Sequence, residues 1–283
     1  MEKPSIVQRR RHQLKRRQRV ARRVLPFLAS LFLATPLAGP VNKSLASSQP
    51  NQRLQAPARP AAAPLTVAQS FEQRLQIVYN SLGAEAQGLR YAVFAKAMTG
   101  YLNLEKEGKL NPGKQLLTVV DFDLPSTEKR LWVLDLARQQ ILFHTLVAHG
   151  RNSGENQATN FSNTNESNMS SLGFYVTEGE YQGKHGRSLK LQGQDEGYNT
   201  NAAMRSVVMH GAEYVSEDFI KQNGRLGRSL GCPALPMDLK DQIIEKVGGG
   251  SCLFLNATAA DYSSKLLNQE VAQQVIAGSS VAS

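Results

Sequence analysis

His210 and Cys232 are the two side chains whose surroundings point to chemistry. Val207-Val208-Met209 is a short apolar run of the kind that forms a buried strand, and His210-Gly211 ends it. A ring at the end of a core strand stands at the mouth of a sheet, within reach of a substrate. Gly211 lets the chain turn away there at little steric cost. Cys232 follows 22 positions later, between Gly231 and Pro233. Proline disfavours helical φ/ψ in the residue before it, so Cys232 is expected on an extended or turn segment. Gly231 allows a second backbone or a substrate to approach closely. The thiolate is the nucleophile, and a free Cys with a pKa of about 8.5 is mostly protonated at neutral pH. A His within hydrogen-bond reach can take that proton and later return it to an amine. The backbone N–H groups of Leu230, Gly231 and Cys232 are candidate oxyanion donors. The pair therefore points to acyl transfer through a Cys thioester.

The elements that must position this pair lie on both sides of it. Thr66 can cap a helix in which Val67, Phe71, Leu75, Val78 and Leu82 form one face. A second helix is expected from about Ala84 to Leu102, with Leu89, Val93, Ala97 and Tyr101 inward. From Leu116 the period changes. Leu116 to Phe122, Arg130 to Leu136 and Gln140 to Ala148 read as strands with polar turns between them, and Trp132 is expected in their core. Arg151 to Ser170 is a long Asn/Ser-rich loop, either solvated or a substrate-binding lid. Leu172 to Val176 and Ser188 to Leu191 add strands. Ser216 caps a short helix that Glu217 and Asp218 suit and Gly224 stops. Pro236 and Gly248 bracket another helix, with Leu239, Ile243 and Val247 inward. Cys252 to Leu255 closes the sheet, and residues 257–283 form a weakly patterned tail.

The formal net charge of +10 does not belong to this domain. Residues 1–46 hold 11 Lys and Arg against one acidic residue, and the other 22 basic residues are matched by 22 acidic ones. No basic stripe remains for phosphates, so nucleic acid is not an expected partner. Arg9 to Arg23, the apolar run Val24 to Ala38 and the small residues of Ser44-Leu45-Ala46 have the layout of a secretory signal. A run of this length is short of the roughly 20 residues a stable membrane span needs. Export to the periplasm or cell envelope is the expectation, with Arg22-Arg23 leaving the twin-Arg route open. Residues 47–65, rich in Ala, Pro and Gln, read as a linker.

His210-Gly211 with Gly227-Arg228-Ser229-Leu230-Gly231-Cys232-Pro233-Ala234-Leu235 resembles the catalytic domain of the murein L,D-transpeptidases. The likeness extends upstream through Ala148-His149-Gly150, Phe161-Ser162-Asn163, Ser171-Leu172-Gly173-Phe174-Tyr175 and Gly183-Lys184-His185-Gly186, and covers roughly 116–256. Many members carry a His two positions before the nucleophilic Cys, where this chain has Leu230. The resemblance implies a mainly β, α+β catalytic domain of β-sandwich type, here behind a helical segment 66–115. It implies that Cys232 attacks the third residue of a peptidoglycan tetrapeptide stem and expels D-alanine, with His210 as base and then acid. The acceptor would be an amine of a second stem or of a lipoprotein, or water. What orients the His210 ring is open, a backbone carbonyl among the options.

Arg228 suits a stem carboxylate through its guanidinium fork, with solvated charge as the plain alternative. Ser229, Gly211, His149 and His185 complete the candidate substrate-binding set. His144 shares a strand face with Leu142 and Leu146 and reads as a core residue. No His, Cys or carboxylate spacing resembles a metal site, and no cofactor is expected. Two cysteines in an exported protein often form a disulfide. Here Cys252 lies in an apolar run, where a free Cys acts as a small hydrophobe, and Cys232 on a turn that suits a nucleophile. Two other classes fit the same residues: a cysteine peptidase or L,D-carboxypeptidase with water as acceptor, and a non-catalytic wall-binding module.

Overall fold

A computed structural model describes residues 66–259 and 261–279; the expected signal segment 1–46 and linker 47–65 lie outside the described residues. Among the described residues no helix is long and apolar enough to cross a membrane. Eight strands form one sheet: β1 Leu116–Asp121, β2 Leu131–Asp135, β3 Gln140–Thr145, β4 Gly173–Gly183, β5 Gly186–Gly193, β6 Val208–Gly211, β7 Ala234–Leu235 and β8 Cys252–Asn256. Their order is β3-β2-β1-β8-β4-β5-β6-β7. The fold is mainly β with short helices, and its sheet is curled. Ala148, just past β3, bridges back to Ala234 in β7, at the other edge.

Side-chain alternation between two cores explains why β1, β2 and β8 are buried on every residue. Leu117, Val119, Trp132, Leu134, Phe174, Cys252 and Phe254 point to one core, against the helices. Val120, Leu131, Val133, Tyr175, Leu253 and Leu255 point to a second core, which the curled sheet closes with Leu189, Leu191, Met209 and Leu235. The two halves of the sheet thus face each other across the second core, as in a sandwich.

The first core is covered by α1 Val67–Ser81, α2 Tyr91–Lys106 and α5 Gln269–Ser279. Thr66 caps α1 in a reciprocal box with Gln69, a device that contributes on the order of 1 kcal/mol. Phe71, Leu75 and Leu82 are buried as the spacing predicts, but Val67 is exposed and Tyr79 takes an inward place. The second helix begins at Tyr91 and not at Ala84. A short 3-10 turn, Glu85–Gln87, ends at Gly88, whose φ of 73° breaks the helical path. Leu89, Val93, Ala97 and Tyr101 are nonetheless all buried. Gly100 lets α2 approach the sheet, because a Cβ there would meet the Phe174 ring at 2.0 Å. The C-terminal segment is more ordered than its pattern implies. Its 3-10 turn Lys265–Leu267 and α5 place Leu266 and Ala272 in the first core, and Asn103 in α2 donates to the Leu266 and Asn268 carbonyls.

Two smaller helices serve the site. α3 Glu217–Asn223 is capped by Ser216 and stopped by Gly224 in the left-handed region, as expected. α4 Lys240–Val247 buries Ile243, Ile244 and Val247 under the second core.

Candidate active site

Strand register places His210. It pairs with Ser188 of β5 on one side and with Ala234 of β7 on the other. Its Nδ1 lies 2.9 Å from the Gly211 carbonyl. A carbonyl only accepts, so Nδ1 carries the proton and the lone pair of the neutral ring is on Nε2. This carbonyl is the orienter that the sequence left open. Gly211 is itself buried, and a Cβ there would meet the Lys240 side chain at 2.1 Å. Its part is to close the chain turn and to hold the ring; its α-carbon offers no surface to a substrate.

β4 and β5 run on as a hairpin beyond their predicted ends, past a bulge between Thr177 and Glu180. Cross-strand hydrogen bonds carry the ladder through residues that are mostly polar and exposed, which an apolar pattern does not register. The two-residue tip, Lys184-His185, delivers the exposed His185 onto His210, ring centroids 4.3 Å apart and 22° from parallel. Burial, above all, and the charge of His185 push the His210 pKa below 6.5, against the pull of the Gly211 carbonyl. The ring is therefore neutral, and a competent base, at neutral pH.

Cys232 is free and half-buried. Its position two residues before Ala234, the partner of His210, sets it beside Val208, two residues from His210 along β6. The Val208 N–H donates to Sγ at 3.4 Å, and the thiol donates to the Ser206 carbonyl at 3.7 Å. Ser206, at φ 54°, holds a left-handed conformation unusual for a residue with a side chain. Proton transfer to His210 Nε2 thus needs the thiol to rotate from Ser206 towards the ring, a rearrangement common on substrate binding. Burial raises the thiol pKa; the Val208 N–H and the nearby Arg205 charge oppose it. Ser206 and Val208, the backbone neighbours of the thiol, also line a pocket of about 420 Å3 with Tyr181, Lys190 and Leu191.

The turn before Cys232 is built by its own side chains. Ser229 Oγ donates to the Cys232 carbonyl at 2.6 Å and accepts from the Gly231 N–H at 3.1 Å. That N–H is therefore engaged, which removes Gly231 from the candidate oxyanion donors and leaves Leu230 and Cys232. Ser229 is buried, so it shapes the turn and does not line the pocket. Gly231 adopts φ 123°, and a Cβ there would meet the Met169 carbonyl at 2.7 Å. Leu230, in contrast, is 63% exposed.

The long loop is a wall of this turn. Gly150 bridges to Ser229, Ser170 Oγ donates to the Gly231 carbonyl at 3.2 Å, and Arg151 N–H donates to the Ser229 carbonyl at 2.8 Å. Arg228 serves the same contact. Its Nη1 donates to the Arg151 and Gly154 carbonyls and pairs with Glu155 at 2.7 Å, while Arg225 pairs with Glu155 at 2.8 Å. Arg228 Nη1 is thus engaged within the chain. His149 is sealed in. It accepts from Arg130 Nη2 at Nδ1, 2.8 Å, and faces the Gly154 carbonyl at 3.3 Å. Burial first, then the Arg130 charge, depress its pKa to about 4. The ring has no exposed surface and does not touch substrate; it is the His149 backbone carbonyl that supports the Cys turn from behind, accepting from the Ser229 N–H. His144 stacks on Trp132 at 5.0 Å, away from the site.

Two residues had no usable signal in the sequence. Arg205 lies in a polar stretch without periodicity, and Arg130 begins a strand where a charge reads as solvated. Arg130 is fully buried, its guanidinium on the Val147 and Leu124 carbonyls and over the Phe122 ring. Only the fold reveals that Arg205 lies against the Cys turn and that Arg130 holds the His149 ring behind it.

Residues 85–256 match the family model of the L,D-transpeptidase catalytic domain. No curated protein sequence matches the chain. Among solved structures, an L,D-transpeptidase from Mycobacterium smegmatis is 15% identical over 50% of this chain, with a TM-score of 0.32. The chain spans 59% of that protein's length. A K307A mutant of the helical cell shape determining protein Pgp2 from Campylobacter jejuni is 12% identical over 66% of this chain and 64% of its own, TM-score 0.38. An L,D-transpeptidase from Stackebrandtia nassauensis is 15% identical over 59% and 67%, TM-score 0.31.

Proposed function

Because the chain belongs to the L,D-transpeptidase catalytic-domain family, we propose that it is a cysteine acyltransferase acting on peptidoglycan stem peptides. The reading rests on one observation: a free thiol held beside Val208, two residues along the strand from a buried His whose Nδ1–H is committed to Gly211, leaving Nε2 to handle protons. His210 Nε2 takes the thiol proton as Cys232 Sγ attacks the carbonyl of the third residue of a tetrapeptide donor. An S–C bond forms and the carbonyl becomes an oxyanion, met by the N–H groups of Leu230 and Cys232. The C–N bond to the terminal D-alanine then breaks, and His210 returns the proton to the departing amine. An acceptor amine attacks the thioester, His210 accepts its proton, and the thiol is regenerated with a new amide. The leader-like character of residues 1–46 supports a site of action outside the cytoplasm.

The test is intact mass after incubation with a tetrapeptide donor. A tripeptidyl adduct on the wild type, with release of D-alanine and no adduct on Cys232→Ala, is the expected result. An adduct that persists in Cys232→Ala, or none on either protein, rejects the reading. Addition of an amine acceptor then separates transpeptidation from carboxypeptidation by its products.

A further inference from the structure

Arg205 is a half-buried cation whose contacts are all neutral oxygen atoms. Nη1 donates to the Ser162 carbonyl at 2.6 Å and to Ser171 Oγ at 2.8 Å. Nη2 donates to the Met169 carbonyl at 2.6 Å and to Ser167 Oγ at 3.1 Å. Four bonds from one planar fork tie both ends of the 162–171 segment together. The same Nη2 lies against the Cys turn, 3.2 Å from where a Cβ on Gly231 would stand. Among the described residues Arg205 has no carboxylate partner. A half-buried positive charge held by dipoles alone favours any nearby group that can become an anion. The titratable groups that face it are Tyr175, whose phenol burial keeps protonated, and Cys232. Around the sulfur itself stand Arg205, the phenol of Tyr214 and, two residues along the strand, His210 with His185 behind it.

We propose that Arg205 is a positioning residue with two linked tasks: it pins the Asn/Ser-rich loop against the nucleophile's turn, and its unbalanced charge favours the Cys232 thiolate. The proposal deepens the reading of Cys232 as nucleophile and rests on it. Lysine can supply the charge but not the clamp, because a single ammonium carries three donors and no planar fork.

The test is the pH profile of Cys232 alkylation by iodoacetamide, which requires an accessible thiol and no peptide substrate. Cys252 is fully buried and stays silent in the folded protein. Arg205→Gln removes the charge; its alkylation midpoint should rise by about one pH unit, which is about tenfold less thiolate at a fixed pH below both midpoints. Arg205→Lys keeps the charge; it should hold the midpoint near wild type but speed amide exchange across residues 151–170. Circular dichroism checks that each variant folds, and Arg205→Met, which keeps the packed stem, replaces Gln if Gln does not. A wild-type midpoint in the folded neutral variant, or wild-type exchange in Arg205→Lys, overturns the proposal. A midpoint that rises in Arg205→Gln while the wild type forms no adduct with tetrapeptide would leave the role of Arg205 standing and reject the acyl-transfer reading instead.

Discussion

The two cysteines stand in opposite kinds of surroundings. Cys252 lies in β8 between β1 and β4, fully buried among Leu117, Val176 and the helical layer. Burial, seconded by the charge of Asp195, drives its thiol pKa far up, and the ladder around it is regular. Cys232 lies at the sheet edge, on a turn made of Ser229, Gly231 and Pro233. It too is raised by burial, but an N–H from Val208 and the Arg205 cation act against that. The difference teaches what makes a thiol useful. A low dielectric keeps both protonated; only the site that adds donors, a cation and a base can release the proton when a substrate arrives.

The sharpest way to break this comparison is to exchange the outcomes of the two alanine variants. Cys232→Ala should lose all acyl-adduct formation, whereas Cys252→Ala should keep the wild-type rate. A Cys232–Cys252 bond found by non-reducing mass spectrometry in active protein would erase the distinction altogether. Next in size are the proton and oxyanion partners. His210→Ala should slow acylation by roughly 10²-fold or more, and neither His149→Ala nor His185→Ala should match it. Because the His210 pKa is lowered, the acid limb of the acylation rate should fall below pH 6.5, with a plateau above it; a limb well above 6.5 would place another group in the role. Leu230→Pro removes one candidate oxyanion donor and should cost roughly 10²–10³ in kcat. Leu230→Ala keeps that N–H and should remain within about tenfold. Equal losses in two variants that both fold would shift the role to the side chain.

A smaller effect concerns support from behind. His149 is buried neutral, with a pKa near 4 in place of 6.5. The unfolded chain therefore binds one more proton between those values, and this contribution to stability is full above pH 6.5 and lost as pH falls towards 4. Between pH 7.5 and pH 5 the loss is about 2 kcal/mol. Urea unfolding at the two pH values should show that difference shrink in His149→Gln; an unchanged difference would mean that the ring is charged or solvated. The smallest effect returns to the core. Cys252→Ala should lower stability by roughly 1 kcal/mol through a small cavity in a well-packed layer, measured by the same unfolding experiment.

Much of this was set by local patterns. The apolar run before His210, the Gly-Cys-Pro turn, the Thr66 and Ser216 caps and the strand run into Cys252 each depend on neighbours within a few positions, so the chain alone carried them. The helical stripe Leu89, Val93, Ala97 and Tyr101 was likewise legible even though Gly88 delays the helix to Tyr91. Tertiary structure decided what depends on residues far apart in sequence. Register across β5, β6 and β7 put Cys232 beside Val208, two residues from His210 along β6, and the exposed β4–β5 hairpin brought His185 onto His210. The same packing withdrew His149, Ser229, Gly211 and Arg228 from the candidate substrate face. Their polar groups found partners inside the protein, and whether a polar residue is satisfied internally or faces solvent is a property of the packed neighbours and not of its own identity. Arg205 and Arg130 show the converse. A guanidinium in sequence reads as surface charge, and only burial against distant carbonyls turns it into part of a site.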